Sequence, residues 1–191
     1  MQTVTISRRI LLGFAVACGG SLVATAQQTA ADYPVIGAGA LDPLVAWSGP
    51  ASAIRKPEFV RITRREAWEQ LWERHEGSVQ RDNVGRAFAP EINFEKCEVI
   101  AIFQGTRTNS NGVFAVQVLD EPDRIRFRFD ERTYQVAFAL TDDGAKPPPL
   151  PPCAPYGLFV LPRSGKPIVI EENVQGMKDQ PAKWKQCAEL R

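Results

Sequence analysis

The sequence holds one histidine, His75, in 191 residues. A single imidazole cannot build a multi-histidine metal site. Charge of one sign is also missing: 23 basic side chains stand against 22 acidic ones, a formal charge of +1. That excludes the clustered Lys/Arg field needed for non-specific grip on nucleic acid. There is no internal repeat, and no apolar run long enough to span a bilayer well. What is present is globular: 44% hydrophobic and 24% charged residues, neither a disordered chain nor a membrane bundle. The length fits one domain with a tail, and about 150 residues bury roughly two-thirds of their unfolded surface.

Residues 1–26 read as an export signal. Arg8 and Arg9 make a positive start, Ile10 to Val23 is apolar and rich in small residues, and Ala24-Thr25-Ala26 is a small-x-small cleavage site before Gln27. Ser7-Arg8-Arg9-Ile10-Leu11-Leu12 is similar to a twin-arginine signal, with an ordinary Sec signal as the alternative. Cys18 after Ala15-Val16-Ala17 is an incomplete lipoprotein box, so a lipid anchor is a lesser possibility beside soluble export to the periplasm or beyond. Cleavage removes both early arginines and no acid, which turns the single excess positive charge into a negative one. It leaves Cys97, Cys153 and Cys187. Three pairings are possible. Cys153 with Cys187 is the expected bridge, because each sits in a segment with little else to pin it. Cys97 opens an apolar strand and reads as a buried free thiol. The alternative is that all are reduced.

Residues 27–55 form an extended lead-in that docks through Trp47. Glu58 to Ile62 alternates as a short strand. Thr63-Arg64-Arg65-Glu66 has the pattern of a capping box. Trp68, Leu71, Trp72 and His75 follow at i, i+3, i+4, i+7, one stripe of a helix that stops at Gly77. Two tryptophans there suggest core packing before a stacking platform. Residues 78–93 are a polar connection. Cys97 to Phe103 is apolar almost throughout, as a central strand is. Gly105 to Gly112 is a polar turn whose Asn111-Gly112 signals a hairpin. Val113–Leu119, Arg124–Phe129 and Arg132–Leu140 are strands joined by short turns at Glu121-Pro122-Asp123 and Asp130-Glu131. Residues 141–155 carry six prolines and form an extended loop. Gly157–Leu161 and Ile168–Glu171 make another strand pair, and the tail from Gly176 ends in a short helix near Trp184. The expected architecture is α+β: an antiparallel sheet with one main amphipathic helix on a face, spanning residues 56–175, with 176–191 as a tail.

Little here carries catalysis. A nucleophile using histidine as base has only His75, whose place at the end of a helical stripe needs no catalytic explanation. Ser164 lacks the strand–elbow–helix context of a hydrolase serine. The acid pairs Glu121/Asp123, Asp130/Glu131, Asp142/Asp143 and Glu171/Glu172 fall in turns or at strand ends, where charge is solvated rather than set across a sugar. Asp142-Asp143-Gly144 lacks the alternating ligands of a calcium loop. Gly105 to Gly112 lacks the Gly-Lys-Ser/Thr ending of a phosphate loop. No cofactor and no metal is called for. The most suggestive surface feature is the ladder Arg124, Arg126, Arg128 on one sheet face. It suits an acidic partner, or guards an exposed sheet against aggregation.

Read together, the motifs of the middle of the chain resemble the PrcB-like domain family, named for a subunit of a protease complex. The resemblance rests on Trp68-Glu69-Gln70-Leu71-Trp72, Ile92-Asn93-Phe94, Val99-Ile100-Ala101-Ile102-Phe103-Gln104-Gly105 and Pro155-Tyr156 before Leu158-Phe159-Val160-Leu161-Pro162. It covers about residues 57–172. Asn93 replaces the family's Asp, and Asn111-Gly112-Val113 replaces its Gly-Gly-Tyr. The resemblance implies a non-catalytic exported module that associates with and stabilises a protease or other envelope protein. The expected contact surface combines Arg107 and Asn111 in the hairpin, the ladder Arg124, Arg126 and Arg128, and the proline loop, with Tyr156 and Trp47 as rim aromatics or, equally, core residues. Two other readings stand beside it: a small exported hydrolase using His75 or a carboxylate pair, and a lipid-anchored structural protein of the envelope.

Overall fold

The computed structural model describes residues 39–77, 88–135, 149–175 and 180–191. The signal segment with Cys18 and Gln27, the polar connection from 78 to 87, the strand expected over 136–140, the run 141–148 with Pro147 and Pro148, and residues 176–179 lie outside them. In chain order the elements are β1 (Ala40–Leu41), β2 (Val45–Gly49), β3 (Pro57–Ile62), α1 (Arg65–Glu76), β4 (Cys97–Gln104), β5 (Arg107–Thr108), β6 (Ser110–Asp120), β7 (Ile125–Thr133), β8 (Pro152–Cys153), β9 (Tyr156–Pro162), β10 (Ile168–Asn173) and β11 (Trp184–Leu190).

β4 and β9 are apolar on both faces, so both faces must be covered. They pair antiparallel at the centre of a four-stranded sheet of order β2-β9-β4-β3. On one face Ile100, Ile102, Phe159 and Leu161 meet Val113, Val118, Ile125, Phe127, Phe129, Ile168 and Ile170 of a second sheet. On the other, Val99, Ala101, Phe103, Leu158 and Val160 meet Trp68 and Leu71 of α1, with Ile54, Ile62 and Ile92. Each fully buried side chain of this size contributes about 1.5–3 kcal/mol. The layers are therefore helix, four-stranded sheet, five-stranded sheet, and the class is α+β.

The second sheet has the order β1-β6-β7-β10-β11. Its inner residues Ile125, Phe127 and Phe129 alternate with Arg126 and Arg128 on the outside, as the period of two requires. Several expectations change here. The single antiparallel sheet is two sheets plus a two-stranded ribbon, and β7 pairs with β10 in parallel. β9 and β10 are not partners, because the link from Arg163 to Pro167 carries the chain from one sheet to the other. Asp130-Glu131 is not a turn: β7 runs on to Thr133, paired with Ser110, while bulges in β6 absorb the mismatch. The tail is strand β11, not a helix. It adds to the free edge of β10 with Trp184 opposite Asn173, and Ala188 and Leu190 pack on the core. β1 and β2, in the segment read as a lead-in, pair with β6 and β9, and Trp47 docks on Trp68 and Trp72 at 6.1 and 6.2 Å.

The helix also differs from its expected form. Arg64 occupies the N-cap with no side-chain cap bond, so Thr63 and Glu66 do not form a capping box. Starting one residue later than the motif requires puts Glu66 at the second helical position, out of reach of a reciprocal bond. Away from its buried residues Trp68, Leu71 and His75 the helix is mostly Glu, Gln and Arg, so its apolar stripe is narrow. Gly77 ends it as expected, with φ of 68° and its N–H on the Glu73 carbonyl.

The crossover between sheets is held by a buried ion pair. Arg61 Nη2 lies 2.7 Å from Glu98 Oε2, with side chains 9% and 0% exposed. Arg61 also donates to the carbonyls of Ser164 and Lys166, and the second oxygen of Glu98 accepts the Ser164 N–H. Every group of the pair is satisfied, which is what a buried charge needs. Arg61→Ala strands Glu98 and is expected to cost about 3–5 kcal/mol by chemical denaturation, whereas the double variant Arg61→Met/Glu98→Leu recovers most of it. A cost for Arg61→Ala below about 1 kcal/mol, the range of exposed pairs, would remove the clamp.

Candidate functional site

The hairpin and the end of the proline loop come together. Arg107 and Thr108 of β5 pair with Cys153 and Pro152 of β8, forming a small ribbon apart from both large sheets. Arg107, Thr108 and Asn111 are exposed. The chain enters through Gly105, whose φ is +72° and where a Cβ would lie 2.8 Å from Pro57 Cδ, so only glycine fits. It turns at Asn109, at φ 52°, whose side-chain amide donates to the Tyr134 carbonyl at 3.0 Å. Asn111-Gly112 is thus not the tight turn its sequence suggests. Both residues lie in β6, and Gly112 is required because a Cβ there would stand 2.6 Å from the Gly49 nitrogen, where β2 and β6 cross. The base of the ribbon is braced: Arg107 donates to Gln104 Oε1 at 3.2 Å, and Gln104 Nε2 donates to Glu172 Oε1 at 3.1 Å.

The arginine ladder lies elsewhere and is already neutralised. Arg124 pairs with Asp123 at 2.6 Å, and Arg126 with Glu121 at 2.8 Å and Glu171 at 2.7 Å. Arg128 pairs with Glu171 at 2.8 Å, and its guanidinium stands 5.0 Å over the Trp184 ring. Hydrogen bonds from Arg126 and Arg124 hold the carboxyls of Glu121 and Asp123 below their ordinary range. Arg126 is opposite Leu119 and Arg128 opposite Gln117, whereas the hairpin adjoins Ser110 opposite Thr133. At about 3.3 Å per residue the ladder and the ribbon are roughly 20–30 Å apart along β6. The structure therefore joins Arg107 and Asn111 to the proline loop and separates Arg124, Arg126 and Arg128 from them.

Tyr156 is half-buried, its ring 4.1 Å from that of His75. Burial, then the charge of Glu76, pushes its hydroxyl pKa up. It packs in the second core rather than standing free on a rim. His75 is 3% exposed, among Trp72, Phe103 and Tyr156. Ser52 Oγ accepts the Ile54 N–H at 3.0 Å and lies 2.9 Å from His75 Nδ1, within hydrogen-bond distance; which of the two donates is set by whether the ring proton is on Nδ1 or Nε2. Glu76 Oε1 is 3.8 Å from that Nε2. Ser, His and Glu in contact have the membership of a nucleophile, base and acid. Here Ser52 is 4% exposed and its oxygen is held by backbone, so the arrangement ties the Ser52 segment to the end of α1. Sequence reasoning passed over Ser52, which no local motif marks.

The expected bridge between Cys153 and Cys187 is absent. Cys153 is in the ribbon and Cys187 in β11 of the five-stranded sheet, and both are free thiols, as is the half-buried Cys97. Burial and the neighbouring Glu172 carboxylate raise the Cys187 pKa. An open cleft of about 850 Å³ lies at the start of α1, where Arg64, Arg65 and Arg163 face Glu66, Glu91 and Glu95, balanced in charge. Among the described residues no group of three or more His, Cys, Asp or Glu is placed to hold a metal, and no helix is long and apolar enough to cross a membrane. No family model, curated protein or solved structure matches the chain.

Burial lowers the His75 pKa from 6.5 to about 4. The folded state holds the neutral ring, while the unfolded chain takes up a proton near 6.5. Stability is therefore complete above that pH and falls as the pH drops towards 4, a loss of about 3 kcal/mol. Urea midpoints measured between pH 8 and pH 4 should show this slope, and His75→Gln, though less stable throughout, should lose that share of it. An identical slope in the variant would place the titration on other groups.

Proposed function

We propose that the protein is an exported, non-catalytic binding module that associates with and stabilises another envelope protein, with a protease as the partner class that the PrcB-like resemblance favours. The observation that carries this reading is the β5–β8 ribbon, which stands outside both large sheets and presents Arg107, Thr108 and Asn111 to solvent. Exposed polar loops on a rigid scaffold are where binding residues concentrate. The buried setting of His75 weighs against the hydrolase alternative, since a general base must reach the proton it abstracts. Export rests on the pattern of residues 1–26, and the order of the Trp-x-x-Leu-Trp helix, the central strand and the Pro155-Tyr156 strand supports the family reading.

A photo-crosslinking residue at Thr108 in the native envelope should capture one discrete protein, while the same residue at Asp123, beside the neutralised ladder, should capture none. Capture from Asp123 alone would overturn the placement of the surface. Mass spectrometry of the purified protein should find Gln27 as the first residue; an acylated Cys18 would instead make it a lipid-anchored protein.

A further inference from the structure

We infer that the ribbon end of the molecule is a basic docking surface for an acidic, extended segment of the partner protein, with Arg55, Lys56 and Arg107 as its charge contacts. This rests on the binding reading above and adds the chemistry of what is bound. The three residues emerge from adjoining backbones. The Thr106 N–H donates to the Arg55 carbonyl at 3.1 Å, and Pro57 stands opposite Gln104 in the β3–β4 ladder. Arg55 and Lys56 therefore leave the surface beside Arg107, and all three are exposed.

Their charge is unspent. Arg61, Arg65, Arg74, Arg124, Arg126 and Arg128 each have a carboxylate partner among the described residues. Arg55, Lys56 and Arg107 have none there; the one side-chain partner of Arg107 is the neutral amide of Gln104. The carboxylates of the neighbouring strands are taken, Glu58 by Arg74 and Glu172 by Gln104 and Cys187. Three exposed cations with no carboxylate partner among the described residues make a local positive field that a negative partner completes.

The shape of the site points to an extended chain. Among the described residues β5 and β8 pair only with each other, and Pro152 leaves β8 short of a main-chain donor, so the outer edge of β5 is the one open to a further strand. A strand can add to such an edge through main-chain bonds, with side chains choosing the partner. The exposed side chains around it are Thr106, Thr108, Asn111, Pro151 and Pro152, with none of the large aromatic or aliphatic groups that membrane insertion needs. Three cations are few for tracking a phosphate lattice, whose binding grows with each neutralised phosphate.

The test uses the full mature chain and a fluorescein-labelled decapeptide of alternating Glu and Ser. Fluorescence anisotropy at 20 mM salt should show binding that weakens at 200 mM. The variant Arg55→Ser/Lys56→Ser/Arg107→Ser should bind about tenfold or more weakly, while Arg124→Ser binds as the unaltered protein does and thermal melts of both stay unchanged. Equal binding by the triple variant, or tighter binding to an oligothymidine or a phosphatidylglycerol vesicle than to the peptide, would overturn the inference. A partner captured from Thr108 that the triple variant still captures would overturn acidic recognition and leave the binding reading intact. Peptide binding lost in the triple variant, with no protein captured from Thr108, would do the reverse.

Discussion

The rest of the structure depends on the antiparallel pairing of β4 with β9. Both strands are buried on both faces, so this ladder is the middle layer of three and belongs to two cores at once. Among the described residues the helix has no other sheet on which to bury Trp68 and Leu71, and the inner face of the five-stranded sheet has no other sheet to cover Phe127 and Phe129. Because a one-residue slip would exchange the two faces of either strand, the register that sets Ile100 against Phe159 also fixes which residues meet the helix. Interiors close-packed in this way transmit such a constraint outward. The ribbon is one consequence: it springs from the ends of β4 and β9, so its position is set by the doubly buried ladder.

The arginines show how one residue type serves three purposes according to its surroundings. Arg61 is buried and closes the end of the inter-sheet core by binding Glu98 and two carbonyls of the crossover. Arg126 and Arg128 knit β7 to β10 through Glu171 on the outer face, neutralising a sheet surface that would otherwise carry a stripe of one sign. Arg55 and Arg107 stand at the ribbon end without a carboxylate partner among the described residues. The near balance of total charge therefore hides an uneven distribution.

Much of the fold was legible because its signals are local. The strict alternation from Arg124 to Phe129 told inside from outside, the apolar run from Cys97 marked a central strand, and Gly77 marked the helix end. The failures have one cause. Asn111-Gly112 reads as a turn from its neighbours alone, yet that glycine answers to Gly49, which lies more than sixty residues away. The tail reads as a helix because nothing near Trp184 reveals the free edge of β10. A bridge between Cys153 and Cys187 suggests itself because neither segment has a local anchor, whereas β8 and β11 belong to different sheets. For the candidate site, Arg107 and Asn111 stand out in the sequence as polar residues of a turn, whereas the neutral state of the ladder depends on Glu171, which lies in β10.

By itself the sequence determined the α+β class, the main helix and its stop, and the central strand, since these follow from periodicity, composition and turn chemistry within short windows. Only the tertiary structure decided that the strands divide between two sheets, that β7 and β10 run parallel, that His75 is sealed beside Ser52, and which cations remain without a partner. Those outcomes turn on contacts between residues far apart in the chain, and such contacts exist only once both cores have closed on β4 and β9.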